Sequence, residues 1–145
     1  MMTRLLHDQD GLKTYAVILE SGDEVMACLE RFARAEGVDG ARLSAIGAFR
    51  KAVLAWFDWE AKEYRDIPVD EQVEVASLNG DIGVDEAGAP ALHVHLVLGR
   101  RDGSTLAGHL KSAEVRPTLE VLVTETPSHL RRVKDAATGL TLIRV

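Results

Sequence analysis

Three histidines lie close together in the stretch ALHVHLVLGRRDGSTLAGHL, which ends at Leu110. His93 and His95 are two residues apart, so on a β-strand their side chains point to the same face of the sheet. The segment GRRDG that follows is typical of a turn, because glycine and aspartate favour tight turns. A hairpin centred near Asp102 would place His95 opposite His109 and gather three imidazoles on one face, whereas a slip of one residue would turn His109 away.

Three imidazoles on one face can bind a metal ion. Histidine is a common zinc ligand, and three histidines with one open position are typical of a catalytic zinc site. Iron, nickel, cobalt or manganese could use the same ligands. Gly108, beside His109, would allow another group to approach closely because it has no side chain. The alternative is that His93 and His95 are ordinary half-exposed strand residues and that His109 is unrelated to them.

Composition and charge narrow the class of protein. The chain has 145 residues, of which 46% are hydrophobic and 28% charged, as expected for one globular domain over residues 1–145. No apolar run is long enough for a membrane helix and the first residues lack the apolar block of a signal peptide, so we expect a cytoplasmic protein with no membrane partner. The net charge of −6 disfavours binding to a phosphate backbone. Cys28 is the only cysteine, and we expect it to be a buried thiol.

One helix is predicted near the N-terminus. The segment KTYAVILE, residues 13–20, is typical of a strand, and SGDE follows with the spacing of a capping box in which Ser21 is the N-cap and Glu24 the third helical residue. Apolar residues then repeat at helical spacing as far as Gly37, a plausible C-terminal stop.

Short strand-like runs follow from Ala41 to the end of the chain. They are ARLSAIGAF, KAVLAWFDW, KEYRDIPV, VEVASLNGDIGV, ALHVHLVL, STLAGHLK, TLEVLVTE and an edge strand in TGLTLIRV. Residues 79–90 are the most loop-like segment, with Asn79 and Gly80 interpreted as a tight turn. The pattern predicts an α+β fold, mainly an antiparallel β-sheet or partly closed barrel with one or two packed helices.

Several of these segments together resemble a known family. In order and spacing, LSAIGAFRKAVLAWFD, VEVASLNGDIG, LHVHLVL, DGSTLAGHL and TLEVLVTE…TGLTLI are similar to the plant and prokaryote conserved (PPC or PCC) domain, from about Lys13 to the C-terminus. The resemblance implies a homotrimer in which His93, His95 and His109 occupy the positions where prokaryotic members hold a divalent metal, for which we expect zinc. It also places each site near a subunit boundary.

The fold that this family implies is similar to that of acetolactate decarboxylase, whose metal is held by a His-x-His pair and a third histidine downstream. The step from His95 to His109 is a few residues longer here than we expect in the decarboxylases. The likeness supports a chemistry only by analogy and does not carry over substrate specificity.

Two further residues are candidates for catalysis. Glu74 lies on a strand expected near the histidine hairpin, where a carboxylate could be a ligand, orient a ligand or act as general base. Arg50 could hold a carboxylate or phosphate at a subunit boundary. Without the family resemblance Glu74 would be interpreted as a surface residue, and Arg50 could equally be one. Ser77, Asn79 and Asp81 could hydrogen-bond a ligand.

The remaining aromatic and histidine residues carry weaker signals. Trp56 and Trp59 are three apart on a predicted strand, so we expect one in the core and the other at a subunit contact or pocket wall. His7 and His129 are interpreted as solvated loop residues.

Three functions remain open. The first is a metal-dependent ligand-binding protein or enzyme, a lyase or hydrolase, that acts on a small oxygen-rich molecule. The second is a DNA-associated regulator that works with a protein partner, because in plants this domain follows AT-hook motifs. No AT-hook is present here, although basic residues cluster at Arg100 and Arg101 and again at Arg131, Arg132 and Lys134. The third is a trimeric ligand or metal sensor.

Overall fold

The computed structural model describes residues 1–127 and 129–144, so Ser128 and Val145, the last residue of the predicted tail strand, lie outside the described residues. Within that part of the chain, one helix accompanies nine strands. They are β1 (Met2–Gln9), β2 (Leu12–Glu20), α1 (Val25–Glu36), β3 (Ala41–Asp58), β4 (Glu63–Val69), β5 (Val73–Val84), β6 (Pro90–Gly99), β7 (Thr105–Glu125), β8 (Arg132–Lys134) and β9 (Thr141–Ile143).

Seven strands form one antiparallel sheet in the order β1-β2-β7-β6-β5-β3-β4. β7 also pairs with β3, so the central strands close into a partial ring. This confirms the predicted α+β class and the partly closed barrel. β3 and β7 each join two runs that the sequence predicts as separate strands. Gly47 on β3 allows the backbone of β7 to approach closely, because a Cβ there would lie 2.8 Å from the Cα of Leu119.

The helix begins later than predicted. Its N-cap is Glu24, whose carboxylate accepts hydrogen bonds from the backbone N–H groups of Ala27 at 2.7 Å and Ala113 at 3.2 Å. The prediction that Ser21 caps the helix is therefore wrong, because the Glu24 carboxylate accepts a hydrogen bond from one N–H of the first helical turn and another from an N–H of β7. The predicted end at Gly37 is confirmed, with φ of 68°.

The apolar face of α1 packs into the core. Cys28 is 3% exposed, in agreement with the prediction of a buried thiol. The other buried residues of the helix are Val25, Leu29, Phe32 and Ala33.

Residues 79–90 are mostly strand, not loop. β5 continues to Val84, and Asn79 and Gly80 pair with His95 and Val94 of β6. The predicted turn at Asn79 and Gly80 is therefore wrong. Gly80 is needed for a close approach of two strands, because a Cβ there would collide with the backbone carbonyl oxygen of His93.

The two ends of the chain depart from the prediction. β1 pairs with β2 and precedes the domain core expected from Lys13 onward, so His7 lies exposed on a strand rather than in a loop. His129 lies exposed in a loop, as predicted. β9 pairs with β8 in a separate two-stranded sheet instead of at the edge of the main sheet. Among the described residues, no helix is long and apolar enough to cross a membrane.

Both tryptophans are exposed. Trp56 is 59% exposed on β3, and Trp59 is 56% exposed beyond the end of that strand. The ammonium group of Lys62 lies 3.0 Å from the centre of a Trp59 ring. The prediction that one of the two belongs to the core is wrong, because the chain leaves the strand at Asp58 and the alternation of faces ends there.

The contact at Gly80 generates a prediction. Gly80→Ala should lower the free energy of unfolding by about 1–3 kcal/mol, because the new methyl group would push β5 away from β6. Gly99→Ala is the matched control, since a Cβ at Gly99 meets its nearest neighbour only at 3.9 Å. Urea unfolding of both variants measures the difference. Equal stability of the two variants would contradict the close approach.

Candidate metal centre

The β6–β7 hairpin places three histidines on one face of the sheet. His95 pairs with His109 in the register that the sequence predicts. Val94 points the other way and is fully buried in the core. Gly108 allows the backbone of β3 to approach, because a Cβ there would lie 2.9 Å from the carbonyl oxygen of Ala55. The prediction that Gly108 admits a neighbouring group is confirmed, and that group is β3 itself.

The three imidazoles converge. The Nε2 atoms of His93 and His95 are 3.1 Å apart. One ring nitrogen from each histidine lies within 4.8 Å of the others, and the ring centres are 5.0 to 5.3 Å apart. Nitrogens on a tetrahedral zinc ion with bonds of about 2.0–2.1 Å are roughly 3.3 Å apart, so small ring rotations suffice to bind one. The cluster could therefore hold a metal ion.

Burial favours the neutral form of His93 and His109, which is the form that binds a metal ion. Burial, followed by the charges of His93 and His95, lowers the pKa of His109 to about 4. Burial and the nearby Arg132 guanidinium also lower the pKa of His93. In addition, Nδ1 of His109 is buried without a hydrogen-bond partner. Coordination at that nitrogen would satisfy it, so the donor set fits a divalent cation.

Tyr64 of β4 is a site residue that sequence reasoning missed. Its ring stacks on His109, with ring centres 4.8 Å apart and planes 28° apart. β4 pairs with β3, and β3 pairs with β7, so Tyr64 reaches His109 through two strand registers. The segment KEYRDIPV gives no sign of those long-range registers, and no local signal could have identified Tyr64.

A buried ion pair lies beside the cluster. Asp81 pairs with His93 in the β5–β6 register, and its carboxylate lies 2.6 Å from Nη2 of Arg132. Arg132 is only 4% exposed. The sequence suggests that Arg132 belongs to a basic patch with Arg131 and Lys134. That interpretation is wrong for Arg132, because its charge is neutralised inside the protein.

The structure does not bring Glu74 or Arg50 to the histidines within one chain. Glu74 is exposed and pairs with Gly99, five residues along β5 from Asn79, or roughly 16 Å at 3.3 Å per residue. Arg50 is 53% exposed and forms an ion pair with Glu114 at 2.9 Å.

Of the three polar residues of β5, Asn79 and Asp81 lie opposite clustered histidines, Asn79 opposite His95 and Asp81 opposite His93. The side-chain amide of Asn79 donates a hydrogen bond of 2.8 Å to Ser77, so these two partner each other. Asp81 is held by Arg132.

The low pKa of His109 predicts how acid affects the metal-free protein. In the unfolded chain His109 takes up a proton near its ordinary pKa of about 6.5, whereas the folded protein takes it up only near pH 4. The unfolded state binds more protons between these values, so stability falls as the pH falls. We expect a loss of about 1–2 kcal/mol from pH 7 to pH 5.

Urea unfolding of metal-free protein at the two pH values measures this loss. His109→Gln should reduce the dependence, part of which remains because burial also lowers the pKa of His93, and His7→Gln, at an exposed histidine outside the cluster, is the matched control. An unaltered pH dependence in His109→Gln would show that His109 is not the group responsible.

Two solved structures are close to this one along nearly the whole chain. A metal-containing protein from Archaeoglobus fulgidus is 36% identical, with a TM-score of 0.84, over 92% of this chain and 94% of its own. A candidate DNA-binding protein from Bacteroides thetaiotaomicron is 28% identical, with a TM-score of 0.89, over 99% and 98% of the two chains. The fold is therefore shared with one protein described as metal-containing and with another described as a candidate DNA-binding protein.

A more distant structure shows a likeness of fold alone. It is a Staphylococcus aureus protein similar to α-acetolactate decarboxylase, 10% identical, with a TM-score of 0.54 over 81% of this chain and 54% of its own. The expected relation in fold to the decarboxylase is confirmed at this level. No curated protein matches the sequence significantly.

The model of the Plants and Prokaryotes Conserved (PCC) domain matches residues 7–127, which include all three clustered histidines. This confirms the resemblance seen in the sequence and extends it into the first hairpin. The chain belongs to the PCC domain family.

Proposed function

We propose that His93, His95 and His109 bind a divalent cation, zinc, and that the protein uses it to bind a small oxygen-rich molecule. The observation that carries the proposal is the convergence of three imidazole nitrogens within 4.8 Å. The lowered pKa values of His93 and His109 support it, because protons compete weakly for those nitrogens. The metal-containing relative from Archaeoglobus fulgidus supports it further.

The same site could serve a ligand-binding protein or an enzyme, for which we propose a lyase or hydrolase. Bound zinc would act as a Lewis acid that polarises a carbonyl or carboxyl oxygen, or would lower the pKa of a bound water. The protein's own part is to hold the ligands and limit access of water. Tyr64 fixes the ring of His109 by stacking, and the Asp81–Arg132 ion pair supports the strand beside His93.

We further propose a homotrimer. Ile46 and Leu122 are 62% and 50% exposed and line one shallow groove with Ser77 and Asn79. Adjacent exposed aliphatic side chains of this kind are typical of a subunit contact. Asn79 pairs with His95, so a second copy seated on this groove would border the histidine cluster. Any catalytic part for Glu74 or Arg50 would be supplied from a neighbouring copy.

A DNA-associated regulator is the alternative, and the described residues give it less support. Arg132 is buried, and Arg100 lies 3.0 Å from Glu71, so both charges are partly neutralised. The net charge of −6 opposes approach to a phosphate backbone. Salt-dependent binding of duplex DNA at micromolar protein, lost on Arg131→Gln, would favour the regulator instead.

Metal content tests the site directly. Protein purified and loaded with zinc should hold one ion per chain by elemental analysis. His95→Ala should lose nearly all of it, since two imidazoles bind zinc far more weakly than three. His7→Ala, which removes an exposed histidine on β1, should keep one ion per chain. Unchanged zinc content in His95→Ala would contradict the proposal.

The oligomeric state tests the proposed contact. Sedimentation should give a trimer, and Leu122→Glu should shift the protein to monomers by replacing one of the two exposed aliphatic side chains of the groove with a charge. Leu6→Glu is the matched control, because Leu6 is 53% exposed on a different surface, β1, and the trimer should persist. A monomeric wild-type protein would remove the trimer from the proposal.

A further inference from the structure

The histidine cluster opens into a cavity whose outer wall lies beyond the matched family domain. The cavity is about 450 Å³ in volume, and Tyr64, His93 and His109 line its inner side. Residues 139–142, in the C-terminal hairpin of β8 and β9, line the other side. The family match ends at residue 127, so this wall lies outside the matched segment.

Arg132 anchors that hairpin to the metal site. One guanidinium nitrogen lies 2.6 Å from the Asp81 carboxylate, and another donates a hydrogen bond of 3.0 Å to the carbonyl oxygen of Thr141. A single buried side chain therefore connects β5, β8 and β9. The backbone N–H of Val84 also donates a hydrogen bond of 2.8 Å to the carbonyl oxygen of Leu130, so the approach to the hairpin is held along β5. These contacts attach the hairpin to β5.

The cavity lining indicates the chemistry of a ligand. Leu92, Leu140 and Leu142 give it an apolar part. Among its described lining residues, the only arginine or lysine is Arg132, whose two terminal nitrogens already have Thr141 and Asp81 as partners and whose Nε is buried out of reach of a ligand. The carboxylate of Asp85 accepts hydrogen bonds from two backbone N–H groups of its own loop. A ligand with a second anionic group would thus find no free cation in the cavity.

We propose that the C-terminal hairpin determines ligand specificity at the metal site, selecting short monocarboxylates. The carboxylate would bind the metal, and the aliphatic tail would pack against Leu140 and Leu142. This inference rests on the proposed metal function. It adds the class of ligand and the segment that selects it.

Protein loaded with Co²⁺ provides the test, because the visible spectrum of cobalt changes when an anion binds to it. Wild-type protein should bind butyrate about 10-fold more tightly than acetate, as expected from roughly 0.8 kcal/mol for each of two buried methylene groups. It should bind succinate at least about 10-fold more weakly than butyrate, because the second carboxylate would lose water without gaining a cation.

Leu142→Ala identifies the hairpin as the selecting element. It should weaken butyrate binding about 5-fold while leaving acetate binding unchanged, since acetate has no tail to reach the wall. Ile143→Ala is the matched control: Ile143 is 38% exposed against 36% for Leu142, and it does not line the cavity. Both affinities should stay at wild-type values in that variant.

The two proposals fail in different ways. Absence of a cobalt spectrum with histidine ligands would overturn the metal site and this inference together. A normal cobalt spectrum with equal affinities for acetate, butyrate and succinate would overturn the inference alone. Equal losses of acetate and butyrate binding in Leu142→Ala would also overturn it.

Discussion

His95 and His109 face each other across β6 and β7, and this register governs the rest of the site. Side chains alternate faces along a strand, so a slip of one residue would send His109 into the core and break the cluster. Close strand contacts hold the register from both sides: β5 lies against β6 at Gly80, and β3 lies against β7 at Gly108. By allowing these close contacts, Gly80 and Gly108 help to keep the three histidines on one face of the sheet.

The same packing sets the electrostatics. A sheet that buries one ring nitrogen of His109 and stacks Tyr64 on its ring keeps the imidazole neutral and its position fixed. The cost of that burial is a low pKa, which in turn favours a metal ion over a proton. The Asp81–Arg132 pair lies beside His93, and the Arg132 guanidinium contributes to the low pKa of that histidine. The chemistry open to the site is therefore that of a metal ion in a half-apolar pocket.

Local patterns in the sequence were sufficient for the hairpin, its turn and the end of the helix at Gly37, because residues near in the chain determine those features. They also predicted the fold class. They failed where distant strands decide the outcome. Gly80 lies in a segment typical of a turn, but it allows a close contact between two strands. Glu24 replaces Ser21 as the N-cap because its carboxylate also accepts a hydrogen bond from β7. Arg132 is buried in an ion pair with Asp81. Tyr64 enters the site through two long-range registers, and no spacing along the chain encodes it.

We propose that three imidazoles on one face of the sheet coordinate a single metal ion. X-ray absorption of the zinc-loaded protein at the zinc edge measures the ligand shell directly. We expect three imidazole nitrogens at about 2.0–2.1 Å, with one further light ligand in the open position. A shell of oxygen ligands only, or with a single imidazole, would contradict the proposal.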